Sequence, residues 1–155
     1  LGDVYKRQVE NHLELKSGRK KFSIALISVE AEEKEIPQLN FTCTIEMDSK
    51  LLSEAITDAG VVSDACLFSA SKEGFLITAK GPLNRVETKF SDEIKINTQG
   101  QVEAMYSIDY LEKFMKAAKL APVVFVKFSQ DEPLKLEFKH DSLELGFLLA
   151  PRERE

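Results

Sequence analysis

The chain has 155 residues, 43% of them hydrophobic and 30% charged. That balance fits one compact domain or two small ones and excludes a collagen-like, rod-like or disordered protein. No apolar run approaches the ~20 residues of a membrane-spanning helix. A formal net charge of −5 also argues against a protein that coats DNA through bulk charge, so any contact with nucleic acid must use a local face or the topology of an assembly.

Residues 1–8 read as foreign. The run Asp3-Val4-Tyr5-Lys6-Arg7-Gln8 resembles the translated mosaic end of a transposon used to fragment DNA, and we set it apart from the fold as a non-native segment. It has no apolar stretch of the kind that directs secretion, so an intracellular site is expected. From residue 9 the pattern is one of paired strands. Val9 to Leu15 alternates weakly, Lys16 to Arg19 reads as a turn, and Phe22, Ile24 and Leu26 alternate with polar or small residues. Residues 28–40, SVEAEEKEIPQLN, hold four Glu and one Pro with little periodicity, and form the best linker in the chain. Pro37 pushes Ile36 into extended backbone.

After the linker an order of elements occurs twice. Phe41 to Met47 predicts a strand. Asp48 or Ser49 caps a helix to about Gly60, and strands follow at Ala65–Ala70, Phe75–Lys80 and Arg85–Phe90. About sixty residues later Val102–Tyr106 predicts a strand. Ser107 caps a helix to about Leu120, and strands follow at Val123–Phe128, Leu134–Lys139 and Leu143–Leu149. A strand–helix–strand–strand–strand unit repeated at this period is the strongest organisational signal present.

Both helices are two-faced. Leu51, Leu52, Ala55, Ile56, Ala59 and Val62 oppose Lys50, Ser53, Glu54, Thr57 and Asp58; Ile108, Leu111, Phe114, Met115 and Ala118 oppose Asp109, Glu112, Lys113, Lys116 and Lys119. Each can cover a sheet with one face and meet solvent with the other. The expected class is α+β, with one curved antiparallel sheet outside and two helices inside.

Catalytic and metal chemistry finds no support. Cys43 and Cys66 stand in strand patterns as buried small hydrophobes, and His12 and His140 form no ligand-spaced pair. G-x-S-x-G, the phosphate-binding loop and G-x-G-x-x-G are all missing. The expectation is a non-enzyme without metal or cofactor.

Four motifs carry a resemblance: Ile36-Pro37 at the end of the linker, Tyr106-Ser107-Ile108-Asp109-Tyr110-Leu111 at the second helix, Pro133-Leu134-Lys135-Leu136-Glu137-Phe138 after the turn, and Phe147-Leu148-Leu149-Ala150-Pro151-Arg152 near the end. Together they resemble the C-terminal part of a sliding clamp of the proliferating cell nuclear antigen (PCNA) family, of the archaeal kind, over roughly residues 11–153. The resemblance implies the DNA-clamp fold. Residues 9–27 would be the last strands of a truncated first domain, 28–40 the interdomain linker and 41–153 the C-terminal domain. It further implies a trimeric ring around duplex DNA, gripped without regard to sequence. DNA polymerase, clamp loader, nuclease and ligase would be tethered through docking peptides that bear a Gln and a pair of aromatics. The setting would be an archaeal cytoplasm at the nucleoid, or a nucleus in a eukaryote.

Carried onto this chain, the docking pocket is Ile36, Pro37, Pro133, Leu148, Ala150 and Pro151. Lys34 stands where the family often has an apolar residue. The DNA-facing side is Lys50, Lys113, Lys116 and Lys119. One solvent arc sets Lys50 against Glu54 and Asp58 and the other sets three lysines against two acids, so phosphate contacts would be few and salt-sensitive. Ring closure would pair strand edges carrying Phe22 and Ile24 at one end and Arg85, Val86, Thr88 and Phe90 at the other. The competing reading is a monomeric peptide-binding module with no role on DNA.

Overall fold

The computed structural model describes the backbone of strands at 4–9, 12–17 and 20–25, and residues 39–154. The linker's Ile36 and Pro37 lie outside the described residues. The chain divides into two units, Leu1–Asn40 and Phe41–Glu155.

The first unit holds a three-stranded antiparallel sheet in the order β1 (Val4–Val9), β2 (His12–Ser17), β3 (Lys20–Ala25). Residues 4–8 of the segment that the sequence sets aside (1–8) thus lie in a strand with Val9, Val4 opposite Ser17 and Val9 opposite His12. β3 pairs in register with β2, Leu15 opposite Phe22 and Leu13 opposite Ile24.

The second unit repeats its β-α-β-β-β order: β4 (Cys43–Asp48), α1 (Ser49–Gly60), β5 (Ala65–Ser71), β6 (Gly74–Lys80), β7 (Arg85–Phe90), then β9 (Val102–Ser107), α2 (Ile108–Phe114), β10 (Val123–Phe128), β11 (Leu134–His140) and β12 (Leu143–Leu149). Between the repeats lies β8 (Lys95–Thr98), which the sequence reading misses. Its four residues alternate in exposure and pair with β4, Cys43 opposite Thr98.

In place of one continuous sheet, the strands of this unit form two antiparallel sheets. One runs β12-β11-β10-β4-β8 and the other β7-β6-β5-β9. The C-terminal tail stitches them together: Arg152 donates its backbone N–H to the Met105 carbonyl at 2.7 Å. The 129–133 turn adds a second stitch, because Tyr106 donates its hydroxyl to the Glu132 carbonyl at 2.7 Å.

Alternation decides which side is core. Cys43, Ile45 and Met47 of β4, Cys66, Phe68 and Ala70 of β5, and Val124, Val126 and Phe128 of β10 are all buried, as a period of two requires for a sheet with one covered face. The seam between the sheets is aromatic. Phe68 meets Phe75 and Tyr106 at 5.2 Å and Phe128 at 6.0 Å, all edge-on, the geometry that aromatic quadrupoles favour.

The helices pack on each other and against this layer. Leu52, Ala55, Ile56 and Ala59 of α1, and Ile108, Leu111 and Phe114 of α2, are buried. Asp48 caps α1, its carboxylate accepting from the Lys50 N–H at 2.8 Å. Ser49 turns inward and donates to the Ala121 carbonyl. Ser107 holds the cap position of α2 but makes no side-chain cap bond, and α2 tightens after Phe114 into a 3-10 turn over Met115–Lys119. Such tightening is common in a last turn. At Gly74 the backbone has φ +151°, and a Cβ would stand 2.4 Å from the Phe90 carbonyl oxygen, so only glycine fits. No helix among the described residues is long and apolar enough to cross a membrane.

Candidate docking surface and nucleic-acid face

Four of the six predicted pocket residues meet at one corner of the five-stranded sheet. Leu134 pairs with Leu149 and Lys135 with Leu148. That register brings the flanking residues, Pro133 and Ala150, to the end of the same ladder, with Pro151 following. Leu148 is 42% exposed although its neighbour Leu149 is buried, because its side of β12 is the outward one. Pro133 and Pro151 are half-buried and Ala150 is exposed. Nearby, a cleft of about 1000 Å³ runs between the outer faces of β5 and β6 and the tail, lined by Ala65, Leu67, Met105, Pro151, Arg152 and Arg154. Of the predicted residues only Pro151 borders it.

The tail is tied down by charge. Arg154 holds Glu103 at 2.8 Å and grips both oxygens of Asp131 at 2.8 and 2.9 Å, and Arg152 reaches Asp64 at 3.4 Å. The guanidinium hydrogen bond from Arg154, helped by Gln130, holds the Asp131 carboxyl below its ordinary range.

A second charged group escaped the sequence reading. Glu137 is 6% exposed on the outward face of β11, among three lysines. Lys127 contacts its Oε1 directly, Lys139 stands 3.7 Å from Oε2 and Lys135 4.0 Å from Oε1. Burial drives the Glu137 pKa up, but the Lys127 hydrogen bond and the three ammonium charges outweigh it and hold the group below the usual carboxylate value. A depressed folded-state pKa gives stability that is present above the unfolded value and is lost as pH falls through the folded one. Glu137→Gln should therefore cost about 1–2 kcal/mol near pH 7. The gap between variant and wild type should close as pH is lowered, a trend that urea melts at several pH values would read.

On the helices, Lys50, Lys113, Lys116 and Lys119 are all exposed, and none forms an ion pair among the described residues. Lys113 Nζ sits 5.9 Å from the Tyr110 ring centroid. Acidic Glu54, Asp58, Asp109 and Glu112 are exposed as well. The two helices approach closely where a Cβ on Gly60 would come within 2.8 Å of Glu112 Oε1.

β7 is an edge strand, and β3 is at an edge of its sheet among the described residues. The Gly81 N–H to Asn84 carbonyl bond of 2.8 Å fixes the phase of the β6–β7 ladder. Gly81 and Asn84 form a hydrogen-bonded pair, so Ala79–Val86, Ile77–Thr88 and Phe75–Phe90, each two residues on, are hydrogen-bonded pairs too. Val86, Thr88 and Phe90 therefore spend their backbone groups on β6. The outward donors and acceptors belong to Arg85, Glu87 and Lys89, whose side chains are also exposed.

The remaining reactive side chains are quiet. Burial pushes the Cys43 thiol up to about 11 and the Cys66 thiol up to about 12, so both are protonated at neutral pH. His140 is exposed beside Asp141. Among the described residues no group of His, Cys, Asp and Glu could hold a metal ion.

Comparison with known proteins agrees with this architecture. Residues 35–153 match the family model "Proliferating cell nuclear antigen, C-terminal domain". A DNA polymerase sliding clamp of Nanoarchaeum equitans is 36% identical over 86% of this chain and 56% of its own length. One of Thermococcus fumicolans is 34% identical over 96% of this chain and 63% of its own. The crystal structure of Proliferating Cellular Nuclear Antigen from Entamoeba histolytica superposes with a TM-score of 0.76 at 27% identity, over 94% of this chain and 61% of that one. PCNA from Thermococcus kodakaraensis gives 0.72 at 28%, over 96% and 65%. This chain thus spans somewhat under two thirds of the length of these relatives, and over that span it belongs to the PCNA sliding-clamp family.

Proposed function

We propose that the chain supplies the C-terminal domain, linker and adjoining strands of a DNA sliding clamp. Such a clamp is a processivity factor that closes as a trimeric ring around duplex DNA. It performs no chemistry itself; it holds replication and repair enzymes at their template, so that rebinding becomes intramolecular at high effective concentration. The observation that carries this reading is the family match across 35–153 on a twice-repeated β-α-β-β-β unit. The exposed lysines of both helices and the open edge of β7 fit it. So does the mixed charge around those lysines, because a ring that slides needs only few, weak phosphate contacts. In this reading residues 9–27 close the first domain and 28–40 form the linker with Ile36 and Pro37 in the docking wall. The working site is a cytoplasm at the nucleoid.

The test is topological. A polypeptide bearing both clamp domains, loaded on DNA, should survive a high-salt wash on closed circles and be lost from linear molecules. Equal loss from both would overturn the reading. Docking is tested separately by calorimetry with a synthetic peptide carrying a Gln and a pair of aromatics. Leu148→Asp should weaken binding at least tenfold, about 1.4 kcal/mol, and unchanged affinity would remove Leu148 from the pocket.

A further inference from the structure

We propose that the Leu148 corner of this chain selects partner segments carrying an acidic side chain about one helical turn from the apolar residue seated on Leu148. The inference rests on the docking reading above and adds the chemistry of the occupant.

The outward face of the five-stranded sheet carries it. On the rung that holds Leu148, the neighbouring outward residues are Lys135 on β11 and Lys127 on β10; the rung contains no acid. The next rung places Glu137 between Phe125 and Gly146; its carboxylate faces three ammoniums, of which Lys139 also meets Glu144 at 4.0 Å. Two carboxylates thus stand against three lysines, and neither Lys127 nor Lys135 pairs with an acid other than Glu137 among the described residues. Lys127 contacts it directly, whereas Lys135 remains 4.0 Å away and its side chain is 39% exposed. Positive charge is therefore in surplus beside Leu148, and Lys135 is the ammonium least neutralised by Glu137.

Gly146 determines where that ammonium lies. A Cβ on Gly146 would stand 3.8 Å from Lys135 Cε, so the lysine stem runs along the strand over the bare glycine and away from Leu148. Leu148 is left uncovered, and the charge is displaced toward a position two residues back along β12, about 7 Å at the strand's rise. Side chains three or four apart on a helical turn are spaced about 5–6 Å apart at Cβ. A helical docking turn can thus lay an apolar side chain on Leu148 and a carboxylate on Lys135 together. Charge complementarity of this kind sets the choice of partner more than the overall strength of binding.

The experiment uses four synthetic peptides with a Gln and an aromatic pair. Two carry Glu four residues before or after the pair, and two carry Lys at those places. Against wild type, one Glu peptide should bind about threefold to tenfold tighter than its Lys counterpart, the preference shrinking as salt rises. Lys135→Glu should reverse it, and Lys135→Gln should abolish it. The Lys135→Gln melt should stay close to wild type, whereas Lys135→Glu, which sets a second carboxylate beside the buried Glu137, should melt somewhat lower but still in one cooperative step, so the salt-dependent reversal of preference is read on folded protein. Glu and Lys peptides binding equally, or a preference unmoved by Lys135→Glu, would overturn the proposal and leave the docking reading standing. No binding by any peptide would overturn both. A concentration-dependent dimer lost in Lys135→Glu would assign the face to a second copy and overturn the partner assignment.

Discussion

Phe68→Ala should lower the free energy of unfolding by about 3–5 kcal/mol, read as an earlier midpoint in urea with an unchanged slope. Phe68 is fully buried and belongs to β5 of the four-stranded sheet. Its ring meets Phe75 and Tyr106 from its own sheet, and Phe128 from β10 of the other sheet. Removing it opens a cavity at the seam, and β5, β6 and β10 are each held by ladders on both sides, so collapse is limited. Edge-on aromatic pairs add about 0.5–1.5 kcal/mol each beyond the area they bury, which places this site at the upper end of the range. If the loss were below about 1 kcal/mol, the two sheets would not be relying on the aromatic seam, and the tail and turn hydrogen bonds would be the principal join.

The repeated unit was legible because the signals that set it are local. Alternation at Cys43, Ile45 and Met47, the Asp48 cap and the 3.6 period of Leu52, Ala55, Ile56 and Ala59 are all read within a dozen residues, and the strand, cap and helix lie where those signals put them. The departures are non-local. β8 has four residues, too few to show a period, and exists because β4 offers it an edge through Cys43 and Thr98. The division into two sheets depends on which strands pair across the seam, which alternation does not record. The tightening of α2 after Phe114 reflects packing at the helix end, where propensity is silent.

The corner that gathers Pro133, Leu148, Ala150 and Pro151 was legible only as far as motif residues reach. Leu148 and Pro133 are far apart in sequence, and the pairing of Leu134 with Leu149 is what joins their neighbourhoods. Glu137 was missed for a plain reason: a charged residue between Leu136 and Phe138 reads as a solvent-facing strand position, and nothing local announces that Lys127 of another strand will cover it. The sequence did hold one clue. Lys127, Lys135, Glu137 and Lys139 all fall on outward parity in adjacent predicted strands, so a pairing register would have assembled them.

Glu87→Pro should shift a two-domain polypeptide from trimer to monomer at micromolar concentration while leaving the fold intact; Val86→Pro should instead unzip the β6–β7 hairpin. The two neighbours differ only in the phase of one ladder. Val86 sits in a hydrogen-bonded pair with Ala79, a phase set by the Gly81–Asn84 bond, so proline there removes an internal donor that β6 needs. Glu87 is exposed on the strand's free side, and its N–H points away from β6. Proline at Glu87 removes one donor from the edge that a neighbouring subunit would pair with, and an edge strand tolerates it. In the proposed ring, two unlike edges, β7 on one copy and β3 on the next, would make a heterologous contact, and such a contact closes into a ring or runs on as a filament. Light scattering reports the mass, and a urea melt of each variant reports the hairpin. A trimeric Glu87→Pro protein with wild-type stability would move the subunit contact away from β7. Monomers from Val86→Pro alone, with stability lost in parallel, would show only that the hairpin must fold before any edge can be offered.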